Sequence, residues 1–221
     1  MARYGAILGA ALVIAAGLMF WNGRAPSSGE TLLAGMAVAQ EADIDVSTIV
    51  EMEQGNPDAP VTVIEYASYT CPHCATFHKT AYKQLKTDYI DTGKIRFVYR
   101  EVYFDRFGLW ASMIARCGGA DKFFGMTELI YDGQSNWARA GGPAEIVTEL
   151  RKIGRLAGLS DETLDSCLQD GTKAQTLVTW YQQNAEEHGI DSTPSFIING
   201  EKYSNMSFTD MSAIIDEALG E

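Results

Sequence analysis

The chain has 221 residues, of which 46% are hydrophobic, and its formal net charge is −12 at neutral pH. This length and composition allow one globular domain with an insertion, or two small domains. Residues 1–39 contain two basic side chains and one acidic side chain, so the rest of the chain has 15 basic and 28 acidic residues, a net charge of −13. Such an acidic protein is not expected to bind nucleic acid, because phosphate binding relies on Lys and Arg.

The first 39 residues are predicted to be a targeting segment. An uncharged run of 17 residues, Gly5 to Trp21, follows Arg3 and precedes Arg24. The run is longer than the apolar part of a typical signal peptide and slightly short for a membrane-spanning helix. It lacks the polar face of a helix that packs on a domain surface. We therefore predict a signal sequence, cleaved near the Ala-Val-Ala at 37–39, or an uncleaved membrane anchor. Both place the remaining chain outside the cytoplasm.

The first predicted elements follow a lead-in segment at residues 40–59. An apolar run rich in β-branched residues predicts a strand at 61–67. Apolar residues at helical spacing then predict one amphipathic helix over 72–90. A turn at Thr92-Gly93 separates this helix from a second strand at 94–103.

The pattern stays helical from residue 105 to residue 189. Five helices are predicted there, at 107–115, 121–131, 143–156, 161–169 and 172–188. A short strand follows at 195–198, and Asn199-Gly200 is a strong signal for a two-residue hairpin that returns at 201–203. A last helix is predicted at 208–219. The order predicts an α/β protein whose sheet is formed by residues 60–104 and 190–221 and is interrupted by a helical insertion at 105–189.

The motif Cys71-Pro72-His73-Cys74 lies where the first strand meets the following helix. The first N–H groups of a helix lack partners and carry partial positive charge, which stabilises a thiolate at that position. Pro72 suits the first helical position, where its missing N–H is not needed. His73 can add positive charge or a hydrogen bond near the Cys71 sulfur. The pair can thus close a disulfide and exchange it, and a stabilised thiolate makes that disulfide a stronger oxidant.

Two further cysteines, Cys117 and Cys167, are 50 residues apart. An even count in an exported chain suggests disulfides. The closeness of Cys71 and Cys74 leaves Cys117 with Cys167 as the natural second bridge among the three possible pairings. We interpret it as a structural disulfide worth roughly 4 kcal/mol on the loop-entropy model. The alternative, an electron relay to the first pair, is less favoured because neither cysteine has a nearby cysteine or a helix start.

Glu65 is placed in the first predicted strand, six residues before Cys71. Alternation puts its side chain on the face opposite to Ile64 and Tyr66. If the carboxyl is buried there, it could take the proton from Cys74 during resolution. The alternative is an ordinary glutamate that faces solvent.

The dipeptide Thr193-Pro194 precedes the third predicted strand. A cis bond would turn the backbone of Thr193 toward the thiols. Its N–H and C=O groups would then be free to form hydrogen bonds with a substrate chain that adds as a strand. Because X-Pro bonds are cis in only about 5–6% of cases, the residues alone favour a trans proline that starts an edge strand. His78 and His188 are predicted to be exposed helix residues without a role.

Together, these motifs resemble the DsbA-like thiol:disulfide oxidoreductases over about residues 60–220. The resemblance implies a thioredoxin fold with an inserted helical domain. It also implies a nucleophilic Cys71, a resolving Cys74, a buried acid at Glu65 and a cis Pro194. The best-known members have Val where this chain has Thr193, a residue also seen in isomerase and reductase relatives, so the direction of electron flow is less defined than the chemistry. The second bridge resembles those of some alphaproteobacterial relatives.

The predicted function is to introduce disulfides into exported proteins by exchange at Cys71–Cys74. The resemblance implies reduced or unfolded exported clients, a quinone-linked DsbB-like membrane partner, and a periplasmic location, soluble or tethered to the inner membrane. No cofactor and no metal are expected. The alternative is a disulfide isomerase or reductase, although residues 40–58 are too short for a dimerisation domain. A structural zinc module would need a second close ligand pair, and a binding-only chaperone would function without Cys71.

Overall fold

A five-stranded sheet organises the part of the chain that the computed structural model describes, residues 44–221. The predicted targeting segment, 1–39, lies outside the described residues. The strands are β1 (Met52–Gly55), β2 (Val61–Ala67), β3 (Ile95–Glu101), β4 (Ser195–Ile198) and β5 (Glu201–Ser204). The helices are α1 (Pro72–Lys79), α2 (Ala81–Leu85), α3 (Arg106–Cys117), α4 (Ala120–Asp132), α5 (Gln134–Trp137), α6 (Pro143–Leu156), α7 (Asp161–Gln169), α8 (Gly171–Glu187) and α9 (Phe208–Leu219). Within residues 44–221, no helix is long and apolar enough to cross a membrane.

The strands lie in the spatial order β1-β3-β2-β4-β5. β2 and β3 are parallel, whereas the other neighbouring pairs are antiparallel. A parallel pair needs a crossover connection, which α1 and α2 provide here. In the β2–β4 pair, Tyr66 lies opposite Ser195, so the carboxyl end of β2 is next to the start of β4. This register brings the segment before Cys71 close to the segment that ends at Pro194.

The helix predicted over 72–90 is interrupted. α1 ends at Lys79, α2 begins at Ala81, and a π-helical turn covers Lys86–Ile90. The break falls at Thr80, whose backbone has φ −126° and ψ −86°. The Thr80 hydroxyl donates to the Thr76 carbonyl at 2.7 Å, a bond to the preceding turn that is known to bend helices.

β1 and α5 are not predicted by the sequence pattern. β1 lies within the predicted lead-in segment and pairs with β3, with Met52 opposite Tyr99. Met52 is the only buried residue of β1, so this edge strand shows no alternation of apolar and polar positions. α5 is a single turn, Gln134–Trp137, too short for a helical period to be visible.

The hairpin predicted at Asn199-Gly200 is confirmed. Both residues have positive φ, 46° and 91°, as a type I′ turn requires. The Asn199 side chain also accepts a hydrogen bond from the backbone N–H of Thr62 at 2.9 Å. The turn therefore connects the β4–β5 hairpin to the beginning of β2.

Helices α3 to α8 lie between β3 and β4, which is the predicted α/β arrangement with inserted helices. The predicted bond between Cys117 and Cys167 is present and joins α3 to the end of α7, with an S–S distance of 2.05 Å. Arg116, beside Cys117, forms two hydrogen bonds of 2.6 and 2.7 Å to the buried carboxylate of Glu101 at the end of β3. The inserted helices are thus attached to the sheet by a buried, hydrogen-bonded ion pair. Removing one partner of such a pair leaves an uncompensated buried charge.

Candidate active site

The two motif cysteines occupy the start of α1. Cys71 caps the helix in an extended conformation, and Pro72 is in the first turn, where no N–H is required. The Cys71 N–H donates to the Ser68 carbonyl at 3.0 Å, which closes the turn between β2 and α1. Both thiols are free; Cys71 is half-buried and Cys74 is fully buried. The strand-to-helix junction therefore presents one thiol to solvent and keeps the other inside.

The pKa of the Cys71 thiol is lowered to about 5. The largest cause is a hydrogen bond from the Cys74 thiol, and partial burial acts in the opposite direction. The Thr193 side chain and the backbone N–H groups of Cys74 and His73 lower the pKa further. This pKa favours the thiolate at neutral pH, and its largest cause is the neighbouring thiol, which was not part of the sequence-based prediction.

Burial shifts the pKa of Cys74 in the opposite direction, well above its usual value. The hydrogen bond to Cys71 and the negative charge of Glu65 raise this pKa further. Opposite shifts on two neighbouring thiols give them different roles, because only the thiolate attacks a disulfide. At neutral pH these shifts favour the thiolate form of Cys71 and the protonated form of Cys74.

His73 is exposed on the first turn of α1. Its backbone N–H is one of the groups that lower the pKa of Cys71. His73 lines a groove together with Phe77, Met206 and Phe208. A contribution of the imidazole to the Cys71 thiolate remains a prediction.

The Thr193–Pro194 peptide bond is cis. The trans bond predicted from the residues alone is therefore wrong. That prediction used the average frequency of cis X-Pro bonds, and the tertiary contacts of Thr193 and Pro194 override this average. The Thr193 carbonyl oxygen lies 3.4 Å from the Cys71 sulfur. The buried Thr193 hydroxyl forms no hydrogen bond of standard geometry in residues 44–221, although it is close enough to Cys71 to lower the pKa of that thiol. The structure thus brings together two predicted residues that are 122 positions apart.

Glu65 is completely buried beneath the dithiol. Its Oε2 atom lies 2.9 Å from Nε2 of His78, which is itself 5% exposed. Its Oε1 atom has no partner among the described residues. A buried polar atom without a partner is uncommon and needs an explanation, such as a role in proton transfer or an adjacent water. The arrangement places an ionisable pair next to Cys74, whose pKa responds to the Glu65 charge.

The prediction that His78 is an exposed helix residue is wrong. His78 follows Cys74 by four residues, so both side chains lie on the same face of α1, which packs on the sheet. Its ring stacks on Tyr131 of α4, with centroids 4.4 Å apart and an interplanar angle of 21°. The position of Cys74 within the helix could have indicated this face.

A cavity of about 320 Å³ connects His78 with the protein surface. Tyr82 and Tyr131 line its inner part, and the exposed side chains of Lys83 and Glu128 lie along its outer part. His78 is therefore buried among aromatic rings yet adjacent to a space that water can enter. This gives the Glu65–His78 pair a route to solvent that does not pass Cys71.

His188 is half-buried, and not exposed as predicted. Its Nδ1 atom lies 2.6 Å from the Tyr66 hydroxyl, which also accepts a hydrogen bond from Arg100 at 2.9 Å. α8 ends beside β2, so the last residues of this helix cover the sheet. This cluster lies apart from the two thiols, and His188 has no part in the candidate site.

Gln134 belongs to the site but is not identifiable from the sequence. Its side-chain amide donates 2.8 Å hydrogen bonds to the backbone carbonyls of Tyr69 and Cys71. The residue comes from α5, 63 positions after Cys71. A single glutamine in a one-turn helix gives no local signal of such a contact. Through Gln134, the inserted helices hold the loop that carries the nucleophile.

The fold and the site together define a class of protein. A dithiol at the start of a helix, beside a cis proline on a mixed sheet, is the arrangement of a thioredoxin-like protein, and helices α3 to α8 are an insertion into it. A family profile described as Thioredoxin matches residues 47–217. The chain therefore belongs to the thioredoxin family, and the likenesses below identify it as a DsbA-like member.

Three relatives illustrate this membership. A Rickettsia bellii protein named a protein-disulfide oxidoreductase is 37% identical over 172 residues, which is 77% of this chain and 65% of the relative. Disulfide bond formation protein D of Bacillus subtilis is 27% identical over 161 residues, 69% of each protein. The crystal structure of alpha-DsbA1 from Wolbachia pipientis has a TM-score of 0.71 and 27% identity, and the match covers 77% of this chain and 91% of that one. These likenesses confirm the predicted fold, thioredoxin-like with inserted helices.

The matched lengths differ between these relatives. The chain spans 61–65% of the length of the Rickettsia proteins that it matches. It matches more than two thirds of the Bacillus protein and nearly all of the Wolbachia structure. The Rickettsia relatives therefore include residues that have no counterpart in the match.

Proposed function

We propose that this protein is a thiol:disulfide oxidoreductase that introduces disulfides into exported proteins through Cys71 and Cys74. The single observation that carries the proposal is the opposite displacement of the two thiol pKa values, with Cys71 lowered to about 5 and Cys74 raised. A thiol of low pKa is a good leaving group, and a stabilised reduced form makes the disulfide oxidising. The names of the Rickettsia and Bacillus relatives support the same chemistry.

The reaction begins with the Cys71–Cys74 disulfide. A client thiolate attacks the Cys71 sulfur, the more exposed of the two, and forms a mixed disulfide while the Cys71–Cys74 bond breaks. Cys74 leaves with the electron pair and takes up a proton, because its pKa lies well above neutral pH. The buried Cys74 is then shielded from a second client.

The second step releases the client. Its other thiolate attacks the client sulfur of the mixed disulfide, the client disulfide forms, and Cys71 leaves as a thiolate. Since the pKa of Cys71 is about 5, this leaving group needs no proton at neutral pH. The client loses two electrons and the Cys71–Cys74 pair gains them. A quinone-linked membrane partner would accept these electrons and restore the disulfide.

The proton of Cys74 passes through the Glu65–His78 pair. Glu65 acts on Cys74 from inside the sheet, and His78 lies between Glu65 and the cavity that reaches the surface. The unpartnered Oε1 atom of Glu65 is the free position for this exchange. Proton transfer by a placed carboxyl contributes typically 10²–10⁴-fold to enzymatic rates.

The protein would act outside the cytoplasm, in the periplasm, either soluble or held at the inner membrane by residues 1–39. The uncharged run at 5–21 and the second disulfide support this, because disulfides persist in oxidising compartments.

We also propose the predicted division of the chain, with the thioredoxin-like parts at 60–104 and 190–221 and the helical insertion at 105–189.

The redox equilibrium of Cys71–Cys74 with glutathione tests the proposed direction. We expect the Cys71–Cys74 disulfide to be reduced by glutathione far more readily than the disulfide of thioredoxin. A potential as reducing as that of thioredoxin would exclude the oxidase function. Oxidation of a reduced client protein, followed by its free thiols, then measures the activity directly.

The second candidate is a disulfide isomerase or reductase, which Thr193 favours. This residue precedes the cis proline, a position where threonine also occurs in isomerase and reductase relatives of the DsbA-like family. An isomerase rests in the reduced state and rescues proteins with scrambled disulfides. Rescue of such a protein, without oxidation of a fully reduced one, would support this second candidate over the first.

A further inference from the structure

A groove of about 430 Å³ lies beside the active-site turn, on the side of the inserted helices. Thr70 and Pro72 line its inner wall, and Phe107, Gln134 and Arg139 line the wall formed by the inserted helices. Gln134 donates to the Cys71 carbonyl at 2.8 Å, so the groove begins next to the nucleophile. A client polypeptide that forms a mixed disulfide with Cys71 would therefore lie next to this groove.

The basic side chains around the groove are unlike most of the others in residues 44–221. Of the 15 Lys and Arg side chains in residues 44–221, ten form a salt bridge with an acidic side chain. Lys79 and Arg139, which line the groove, form none with a described residue. Arg106 also forms none, and it stacks on Phe107, another lining residue, at 5.0 Å from the ring centroid. Within residues 44–221, three of the five Lys and Arg side chains without a salt bridge therefore lie in or beside this groove.

The acidic groups near the groove form no salt bridge with these cations in residues 44–221. Asp105 lines the groove, but its carboxylate accepts hydrogen bonds from the backbone of Phe107 and Gly108 and from the Thr70 hydroxyl. Asp132 meets Lys79 through its backbone carbonyl at 3.4 Å, and not through its carboxylate. The groove thus offers cations and an aromatic face in a chain with a net charge of −12.

We propose that this groove binds acidic residues of a client polypeptide next to the cysteine that reacts with Cys71. Lys79 and Arg139 would attract the carboxylates, and Phe107 would contact the neighbouring apolar side chains. This inference rests on the proposed exchange chemistry and specifies its client class. Because the whole protein is acidic, its remaining surface repels uniformly acidic chains. The local cations would therefore favour clients whose acidic residues lie next to the reacting cysteine.

Three matched peptides test the proposal, each with one cysteine flanked by two Asp, two Asn or two Lys residues. The measurement is the rate constant for reduction of the oxidised full-length protein by each peptide. Flanking charges alter the reactivity of a thiol, so each value is divided by the rate of the same peptide with hydroxyethyl disulfide, a neutral small disulfide. We expect the Asp peptide to react about threefold faster than the Asn peptide, from two exposed charge pairs.

The double variant Lys79→Gln/Arg139→Gln should remove this preference. The control, Lys122→Gln/Lys152→Gln, removes the same net charge from residues that do not line the groove, and it should keep the preference. High salt should also abolish the preference, because screening weakens exposed charge pairs. A normalised rate equal for all three peptides, or highest for the Lys peptide, would overturn the proposal. An equal loss in both double variants would do the same, since net charge alone would then explain it.

Different results would exclude the client preference and the exchange chemistry. If the Asn peptide reduces the disulfide rapidly but the Asp peptide has no advantage, the client preference is wrong and the exchange chemistry stands. If none of the peptides reacts, the proposed function itself is wrong.

Discussion

The molecule holds two cysteine pairs in contrasting surroundings. Cys71 and Cys74 lie at a helix start, and burial, hydrogen bonds and charge move their pKa values apart. Cys117 and Cys167 join two helices of the insertion beside the buried Arg116–Glu101 pair, and both are half-buried. The second pair is bonded in the structure, whereas the first pair is free and its surroundings lower the pKa of one thiol and raise that of the other. The difference shows that the electrostatic surroundings of a cysteine, and not its ability to pair, separate a reactive dithiol from a structural one.

Substituting the nucleophile should have the largest effect on this contrast. Cys71→Ser removes the only thiol of the active pair that solvent reaches, so exchange with glutathione and with a reduced client should be lost. The Cys117–Cys167 bond should remain, as free-thiol counting under denaturing conditions would show. Residual exchange above a tenth of the wild-type rate would mean that another cysteine carries the reaction.

Removing the second bridge should affect stability and leave the chemistry intact. Cys117→Ala/Cys167→Ala opens a loop of 50 residues, which should lower the free energy of unfolding by about 4 kcal/mol. Denaturant unfolding measures this change. The rate of exchange at Cys71, measured at a temperature where the variant is folded, should stay within about twofold of the wild type. A much larger loss of exchange would favour the alternative that the second bridge relays electrons.

Substituting the buried acid should slow the reaction without preventing it. Glu65→Gln keeps the size of the side chain but cannot exchange a proton with Cys74, so we expect at least a tenfold slower exchange at neutral pH. The pH profile of the rate should change shape as well, which a purely structural defect would not produce. Glu128→Gln, at the outer part of the same cavity, serves as the control and should react like the wild type. An unchanged profile in Glu65→Gln would exclude the proposed proton route.

The smallest effect expected is on the pH dependence of stability. The folded pKa of Cys71, about 5, lies below its ordinary value of 9.0, so the thiolate stabilises the reduced folded protein. This stabilisation is complete above pH 9 and is lost as the pH falls through 5. The difference in unfolding free energy between reduced wild type and Cys71→Ser should therefore grow from pH 5 to pH 9. Since Cys71 is half exposed, solvent screening keeps the change small, and a difference that shrinks over this range would contradict the lowered pKa.

Much of the site could be predicted because its determinants are adjacent in the chain. The strand at 61–67, the dithiol and the helix after it form one continuous segment, so residue types and spacing were sufficient to place Cys71, Pro72 and Cys74 at a helix start. The Asn199-Gly200 hairpin was predictable for the same reason, since two consecutive residues favour its positive φ values.

The sequence by itself therefore determined the strand–helix–strand order, the reactive motif and the inserted helices. Only the tertiary structure decided that Thr193 approaches Cys71, that Pro194 is cis, that His78 is buried against Glu65 and that Gln134 holds the active-site loop. The physical reason is distance along the chain. Contacts between residues 13 to 122 positions apart depend on how the helices pack on the sheet, which local propensity does not specify.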